Sequence, residues 1–176
     1  MGVELVIVAR TDALSATFID TNIDPLDHPY ILGQVDPKNP DLLLTFPEAG
    51  VWEIINTFPE VEKQKKCIAA WSKNCTNLSL PEAWQFAWEL GFDLKFDWES
   101  CRSEEGFYKV KGNVEYCVKR GLKFGEYADM LWMETPTPDL SIAWEFAEGI
   151  FGENPNLMLS YNLSPSFNWE ASGLSD

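Results

Sequence analysis

The chain has 176 residues, a formal net charge of -15, 45% hydrophobic residues and eight tryptophans. Length and aromatic content point to one globular domain with a sizeable core and exclude a disordered chain. The acidic balance excludes nucleic-acid and anionic-membrane partners, which would repel it, and no apolar run reaches the roughly 18 residues that span a bilayer.

The first predicted element is a strand over Val3–Val8, a β-branched run that both faces of a covered sheet would bury. It finishes in Ala9-Arg10-Thr11-Asp12. An arginine just past pure aliphatics is expected in a buried place or on a cleft floor, where it needs an anion. That anion is either a substrate carboxylate gripped at two points or an internal partner, Asp12 or Glu134. The N-terminus has no basic region ahead of an apolar one, so no secretory signal is read there.

From Gly33 to about Asp97 the pattern changes, with prolines at 37, 40, 47, 59 and 81. Helices are predicted over Val61–Ser72 and over Pro81–Leu90, the second with Ser79 near its cap, Pro81 in its first turn and Gly91 at its end. A stretch this long between a strand and its next helix is an inserted subdomain, so the expected division is 1–32, 33–97 and 98–176. His28, the single histidine, is read as a loop or capping residue. The cysteines, at 67, 75, 101 and 117, have no C-x-x-C spacing, so zinc is not expected and reduced thiols are.

Asn113 is the expected cap of a helix carrying Val114, Cys117, Val118, Gly121 and Leu122 on one face. A strand over Met130–Met133 follows and ends in Glu134-Thr135. Next comes an amphipathic helix from an Asp139 cap, with Leu140, Ala143, Trp144, Ala147, Ile150 and Phe151 on its stripe and Gly152 as its stop. The last strand, Leu157–Leu159, ends in the polar segment Tyr161–Trp169. The alternation of helix and strand over 113–161 makes the strands parallel. The predicted class is therefore α/β: a partial TIM-type (β/α) barrel of about three parallel strands with a mostly helical insertion. Three such strands cannot close a barrel, so the chain is expected to be an internal piece of a longer protein, inactive alone.

In such a barrel, groups at the C-terminal strand ends make the active site. Here these are Arg10, Glu134, Asn162, Ser164 and Ser166, a set suited to a small, oxygen-rich, anionic substrate. Asn162, Ser164 and Ser166 alternate in a segment stiffened by Pro165, so in an extended chain they face one way and offer neutral donors to a carboxylate. The alternative is a Ser-Pro turn with caps. For Glu134 the alternative is a partner for a nearby Lys or Arg.

These clusters carry a resemblance. Val8–Ala13 with Ile23–His28, Arg102–Tyr108 (R-S-E-E-G-F-Y), Tyr127–Thr135 (Y-A-D-M-L-W-M-E-T) and Tyr161–Trp169 (Y-N-L-S-P-S-F-N-W) resemble the isocitrate lyase family, in its order. The match is good over 1–32 and 97–170 and looser over the insertion, which is similar to that of long-form members. A-R-T-D is shared across the phosphoenolpyruvate mutase and methylisocitrate lyase superfamily, whereas N-L-S-P-S-F-N-W is far more specific.

The resemblance implies a magnesium-dependent retro-aldol cleavage of isocitrate to glyoxylate and succinate, in the glyoxylate cycle, by a homotetramer. It implies that Arg10 holds a substrate carboxylate, that Asn162, Ser164 and Ser166 hold the succinate portion, and that Glu134 lies near magnesium-bound water rather than on the metal. Most magnesium ligands and the K-K-C-G-H loop with the catalytic cysteine are expected upstream. Lys65-Lys66-Cys67 is no substitute, since Ile68 and Ala69 follow where Gly and His are required. Methylisocitrate lyase, or a catalytically dead homologue acting as a binding or regulatory subunit, are the alternatives. The expected location is intracellular, cytoplasmic or peroxisomal/glyoxysomal.

Overall fold

The computed structural model describes residues 4–173. In chain order its elements are β1 (Val8–Thr11), β2 (Phe18–Ile19), β3 (Leu32–Gln34), β4 (Leu43–Thr45), α1 (Phe46–Thr57), α2 (Val61–Asn74), α3 (Leu80–Glu89), β5 (Tyr108–Lys109), α4 (Val114–Phe124), β6 (Met130–Met133), α5 (Leu140–Glu153) and β7 (Met158–Ser160). They group into two compact units, residues 17–111 and residues 1–16 with 112–176. The inner unit is wider at both ends than the 33–97 expected for an insertion. Antiparallel pairing of β2 with β5 ties residues 18–19 to 108–109 and draws the flanks of the insertion into it.

The outer unit is built on a three-stranded sheet in the order β1-β6-β7, parallel throughout. An α/β chain with parallel strands is what the helix–strand alternation dictates. β1 differs from expectation: it covers Val8–Thr11, not Val3–Val8, and Val3 lies outside the described residues. Pairing with β6 sets this register, with Val8 opposite Met130 and Thr11 opposite Met133. Leu5, Val6 and Ile7 run ahead of β6 and stay exposed. Asp129 fixes the start, its carboxylate accepting from the Ile7 N–H at 2.9 Å.

Helices α4 and α5 pack on each other, and α4 also packs on β1 and β6. Leu131, Met133, Thr11, Cys117, Phe146 and Ile150 are buried in this unit. Asn113 caps α4 as predicted, accepting from the Tyr116 N–H at 2.7 Å, and Asp139 caps α5 through the N–H groups of Ser141 and Ile142. Gly152 does not stop α5, which runs on to Glu153. The Asn154 N–H still reaches the Ile150 carbonyl at 2.8 Å, so the helical hydrogen bonding continues past the glycine.

The inner unit has an aromatic core. Trp71 of α2 is fully buried, stacked on Phe86 and edge-on to Phe46 and Phe92. Its indole N–H is satisfied by the Pro47 carbonyl at 2.8 Å, as burial of a polar group requires. A Cβ on Gly50 would lie 2.2 Å from the Trp71 ring, so glycine is what lets α1 approach α2 this closely.

Helix α1 was not predicted. Its signal is Thr45-Phe46-Pro47-Glu48, a capping box in which Glu48 accepts from the Thr45 N–H at 3.0 Å and from its hydroxyl at 3.2 Å. Pro47 sits in the first helical turn, where its missing N–H costs nothing. α2 and α3 match their predictions within two residues, and Gly91, at φ 86°, ends α3. His28 caps α3: its Nδ1 accepts from the Leu80 N–H at 3.0 Å. The proton is then on Nε2, which donates to the Asn22 carbonyl at 2.8 Å.

Candidate active site

Arg10 lies within β1 and not beyond it, directly opposite Trp132 of β6. Its neighbours in the sheet explain its side. Thr11, Leu131 and Met133 are buried, while Arg10 and Trp132 alternate onto the other face. The expected burial is not found, since 45% of the Arg10 side chain is exposed. Among the described residues β1 is the edge strand of its sheet.

The guanidinium is held by its own strand end. Nε lies 3.1 Å from both Asp12 carboxylate oxygens, and Nη2 lies 2.6 Å from Oδ1. Nη1 lies 3.6 Å from Oε2 of Glu134. The hydrogen bond with Asp12 pushes the arginine pKa up, desolvation opposes it, and the charges of Asp12 and Glu134 add to the rise. The internal pairing weighed for Arg10 is thus the one seen. An exposed pair of this kind contributes little to stability, so an incoming carboxylate can replace Asp12 at little cost.

Glu134 follows β6, its N–H donating to the Thr11 carbonyl at 3.0 Å. Its Oε2 is shielded from solvent and has no hydrogen-bond partner among the described residues. At 3.6 Å the Arg10 contact is electrostatic and not a hydrogen bond. A buried carboxylate oxygen in this state is poised for a donor.

Asn162, beyond β7, is turned toward β6. Its Oδ1 accepts from Trp132 Nε1 at 3.3 Å and from the Thr135 hydroxyl at 3.2 Å, and its Nδ2 donates to the Thr135 carbonyl at 3.3 Å. Thr135 is only 1% exposed, so the anchor is fixed. Ser164 and Ser166 form a second group. They do not alternate along an extended segment. A turn carries the chain back, with the Phe167 N–H bonded to the Ser164 carbonyl at 3.1 Å, and the two hydroxyls meet at 2.7 Å. Serine first and proline second is a standard opening for such a turn. One hydroxyl hydrogen is used between them and one is left to point outward. The amide of Asn162 likewise keeps one N–H.

The structure therefore brings Arg10 and Asn162 to Trp132, sets Glu134 beside Arg10, and pairs Ser164 with Ser166. Trp132 and Thr135 were missed as site residues. Trp132 was legible in one respect, since a tryptophan two residues before a strand-end glutamate shares a face with it.

No set of three His, Cys, Asp or Glu side chains able to hold a metal exists among the described residues. All four cysteines are buried free thiols, and burial pushes the Cys67 thiol up and drives that of Cys117 to about 12. No helix among the described residues is long and apolar enough to cross a membrane.

Known proteins resemble this chain along its whole length. The model of the isocitrate lyase family matches residues 1–51 and 42–176. The isocitrate lyase of Oryza sativa subsp. japonica is 38% identical over 212 aligned positions, covering 100% of this chain and 37% of that protein. The isocitrate lyase of Pinus taeda is 37% identical, covering 100% of this chain and 37% of its own length. The mitochondrial 2-methylisocitrate lyase of Saccharomyces cerevisiae is 33% identical, covering 100% of this chain and 36% of that enzyme. The chain spans a little over a third of the length of these relatives.

Proposed function

Because this chain belongs to the isocitrate lyase family, we propose that it is part of a carbon–carbon lyase cleaving isocitrate to glyoxylate and succinate, and that its parallel strands are part of a (β/α) barrel. One observation carries the reading: an arginine, a carboxylate with an orphaned oxygen and an anchored amide meet where neighbouring parallel strands end.

In a retro-aldol cleavage a base takes the hydroxyl proton, the carbon–carbon bond breaks, and its electrons pass into a carboxylate-stabilised carbanion that an acid then protonates. No residue described here supplies the base or the acid. Arg10 exchanges Asp12 for a substrate carboxylate, matched at two points by its planar fork. The free N–H of Asn162 and the free hydroxyl of the Ser164–Ser166 pair donate to the carboxylate on which charge accumulates. Donors set before the reaction stabilise the transition state more than the ground state.

For magnesium the residues of this chain fit only in part. The orphaned Glu134 oxygen suits a metal-bound water, while direct ligands are not gathered among the described residues. When bound, magnesium would polarise the glyoxylate oxygens as a Lewis acid. A homotetrameric, intracellular enzyme of the glyoxylate cycle, cytoplasmic or peroxisomal, is the setting that goes with this reading.

The similarity to a 2-methylisocitrate lyase favours a second substrate in which one hydrogen is replaced by methyl. The test is glyoxylate release by the full-length protein from isocitrate with magnesium, beside pyruvate release from 2-methylisocitrate. Isocitrate should be the better substrate by kcat/KM. Failure to release glyoxylate defeats the first reading, and a preference for 2-methylisocitrate replaces it with the second.

A further inference from the structure

We infer that Trp132 is a positioning residue that couples the arginine to the amide of the site. The inference rests on the lyase reading for its kinetic readout only. Trp132 makes two contacts of different kind. The Arg10 guanidinium lies over its ring, with Cζ 4.6 Å from the ring centroid. Its Nε1–H donates to Asn162 Oδ1 at 3.3 Å.

Packing alone does not account for this tryptophan. The core positions of β6 are taken by Leu131 and Met133, at 0% and 2% exposure, and Trp132 alternates away from them. Its face meets a charge and its edge meets a side-chain amide. Contact with a ring face uses none of the guanidinium donors, because all five N–H groups lie in the plane of the guanidinium itself. When Asp12 gives way to a substrate, the ring still holds that plane and the fork stays aimed.

The edge contact fixes direction. The Asn162 oxygen faces two donors, Trp132 Nε1 and Thr135 Oγ1, and its nitrogen faces the Thr135 carbonyl. A flipped amide would set N–H against N–H and oxygen against oxygen. Only one amide hydrogen therefore remains, and it has one direction. Two substrate-binding groups, one within β1 and one just past β7, thus share contact with a single indole.

The test is made in the full-length protein with three replacements at this position. Benzothienylalanine keeps the ring but lacks the N–H, Trp132→Phe keeps a smaller ring, and Trp132→Leu removes both contacts. Loss of the N–H should lower kcat/KM by roughly tenfold, mainly through kcat, since the donor it aligns acts as charge builds. Leucine should lower it by roughly a hundredfold and raise KM as well, because Arg10 loses its support. In the benzothienylalanine protein, Asn162→Ala should add little further loss, the mark of residues acting through one another. Wild-type kinetics without the N–H, or fully additive losses, overturn the inference, as does a change confined to melting temperature. If the wild type cleaves neither isocitrate nor 2-methylisocitrate, the lyase reading fails and the inference is decided by crystal structures of the same variants. A displaced Asn162 amide supports it, and unmoved Arg10 and Asn162 side chains overturn it.

Discussion

The two units spend their aromatic residues differently. In residues 17–111, Trp71 is enclosed by Phe46, Phe86 and Phe92, and its one polar atom is spent on a backbone carbonyl. In the outer unit Trp132 is only partly buried, and it meets a guanidinium and an amide. The same side chain makes a core in one place and a platform in the other. What separates the cases is the partner. Apolar neighbours on every side give stability through area removed from water, whereas charged neighbours give orientation and little stability. Folding free energy should therefore be concentrated in the inner unit and chemistry in the outer one.

Trp71→Ala gives the largest effect that would break this contrast. Truncating a fully buried tryptophan costs about 3–5 kcal/mol, and the cavity would open where α1, α2 and α3 meet. Limited proteolysis should then cut first within residues 17–111. Cleavage as slow as in the unaltered protein would mean that this core does not carry the stability. Arg10→Lys should do the reverse. Lysine keeps the charge but not the two-point fork, so kcat/KM should fall roughly tenfold to a hundredfold. The melting temperature should not move, because the side chain is half exposed. Near-normal kinetics for this variant would make Arg10 a partner of Asp12 and nothing more.

How much of this was legible in the sequence follows the same division. Helices announced by caps were readable: Asn113, Asp139 and Ser79 each precede an apolar stripe, and each caps as expected. Parallel strands followed from the alternation of β6, α5 and β7. Local signals failed where a second segment decides the outcome. β1 lies later than its aliphatic run suggests, since register comes from pairing with β6, more than a hundred residues away. Ser164 and Ser166 looked extended by alternation, but Pro165 favours the turn, and the turn prevails. The residue types of the site were visible one by one. That Trp132 lies between Arg10 and Asn162 was not, because cross-strand neighbours are unknown until the register is.

Ser164→Ala and Ser166→Ala sharpen the contrast on a smaller scale. The hydroxyls share a hydrogen bond at 2.7 Å, so removing either one also frees the other. Each substitution should cost about 1 kcal/mol in transition-state binding, a several-fold drop in kcat with KM little changed. The double variant should lose less than the sum, since one hydrogen bond is counted in both. Lower melting temperature with unchanged turnover would assign the pair to the turn instead of the substrate.

The smallest expected effect lies in the inner unit and has a pH signature. Glu53 of α1 is 3% exposed, and its Oε1 has no hydrogen-bond partner among the described residues. Burial pushes its pKa above the ordinary glutamate value of 4.5. The charge and backbone N–H of Lys95 oppose the rise, and the charge of Asp93 adds to it. The native state therefore binds this proton more tightly than the unfolded chain does. Stability from this group is fully present below pH 4.5 and is lost as pH rises through the raised value. Glu53→Gln cannot ionise, so it should match the unaltered protein in acid and exceed it near neutrality, by no more than about 2–4 °C in melting temperature. Glu48, Glu82 and Asp139 work in the opposite sense, since their lowered pKa values add stability as pH rises. Only the difference between the two melting curves isolates Glu53. A difference that stays flat from pH 4 to pH 8, or a glutamine variant that melts lower at neutral pH, would mean that Lys95 keeps the carboxylate charged at no cost to the core.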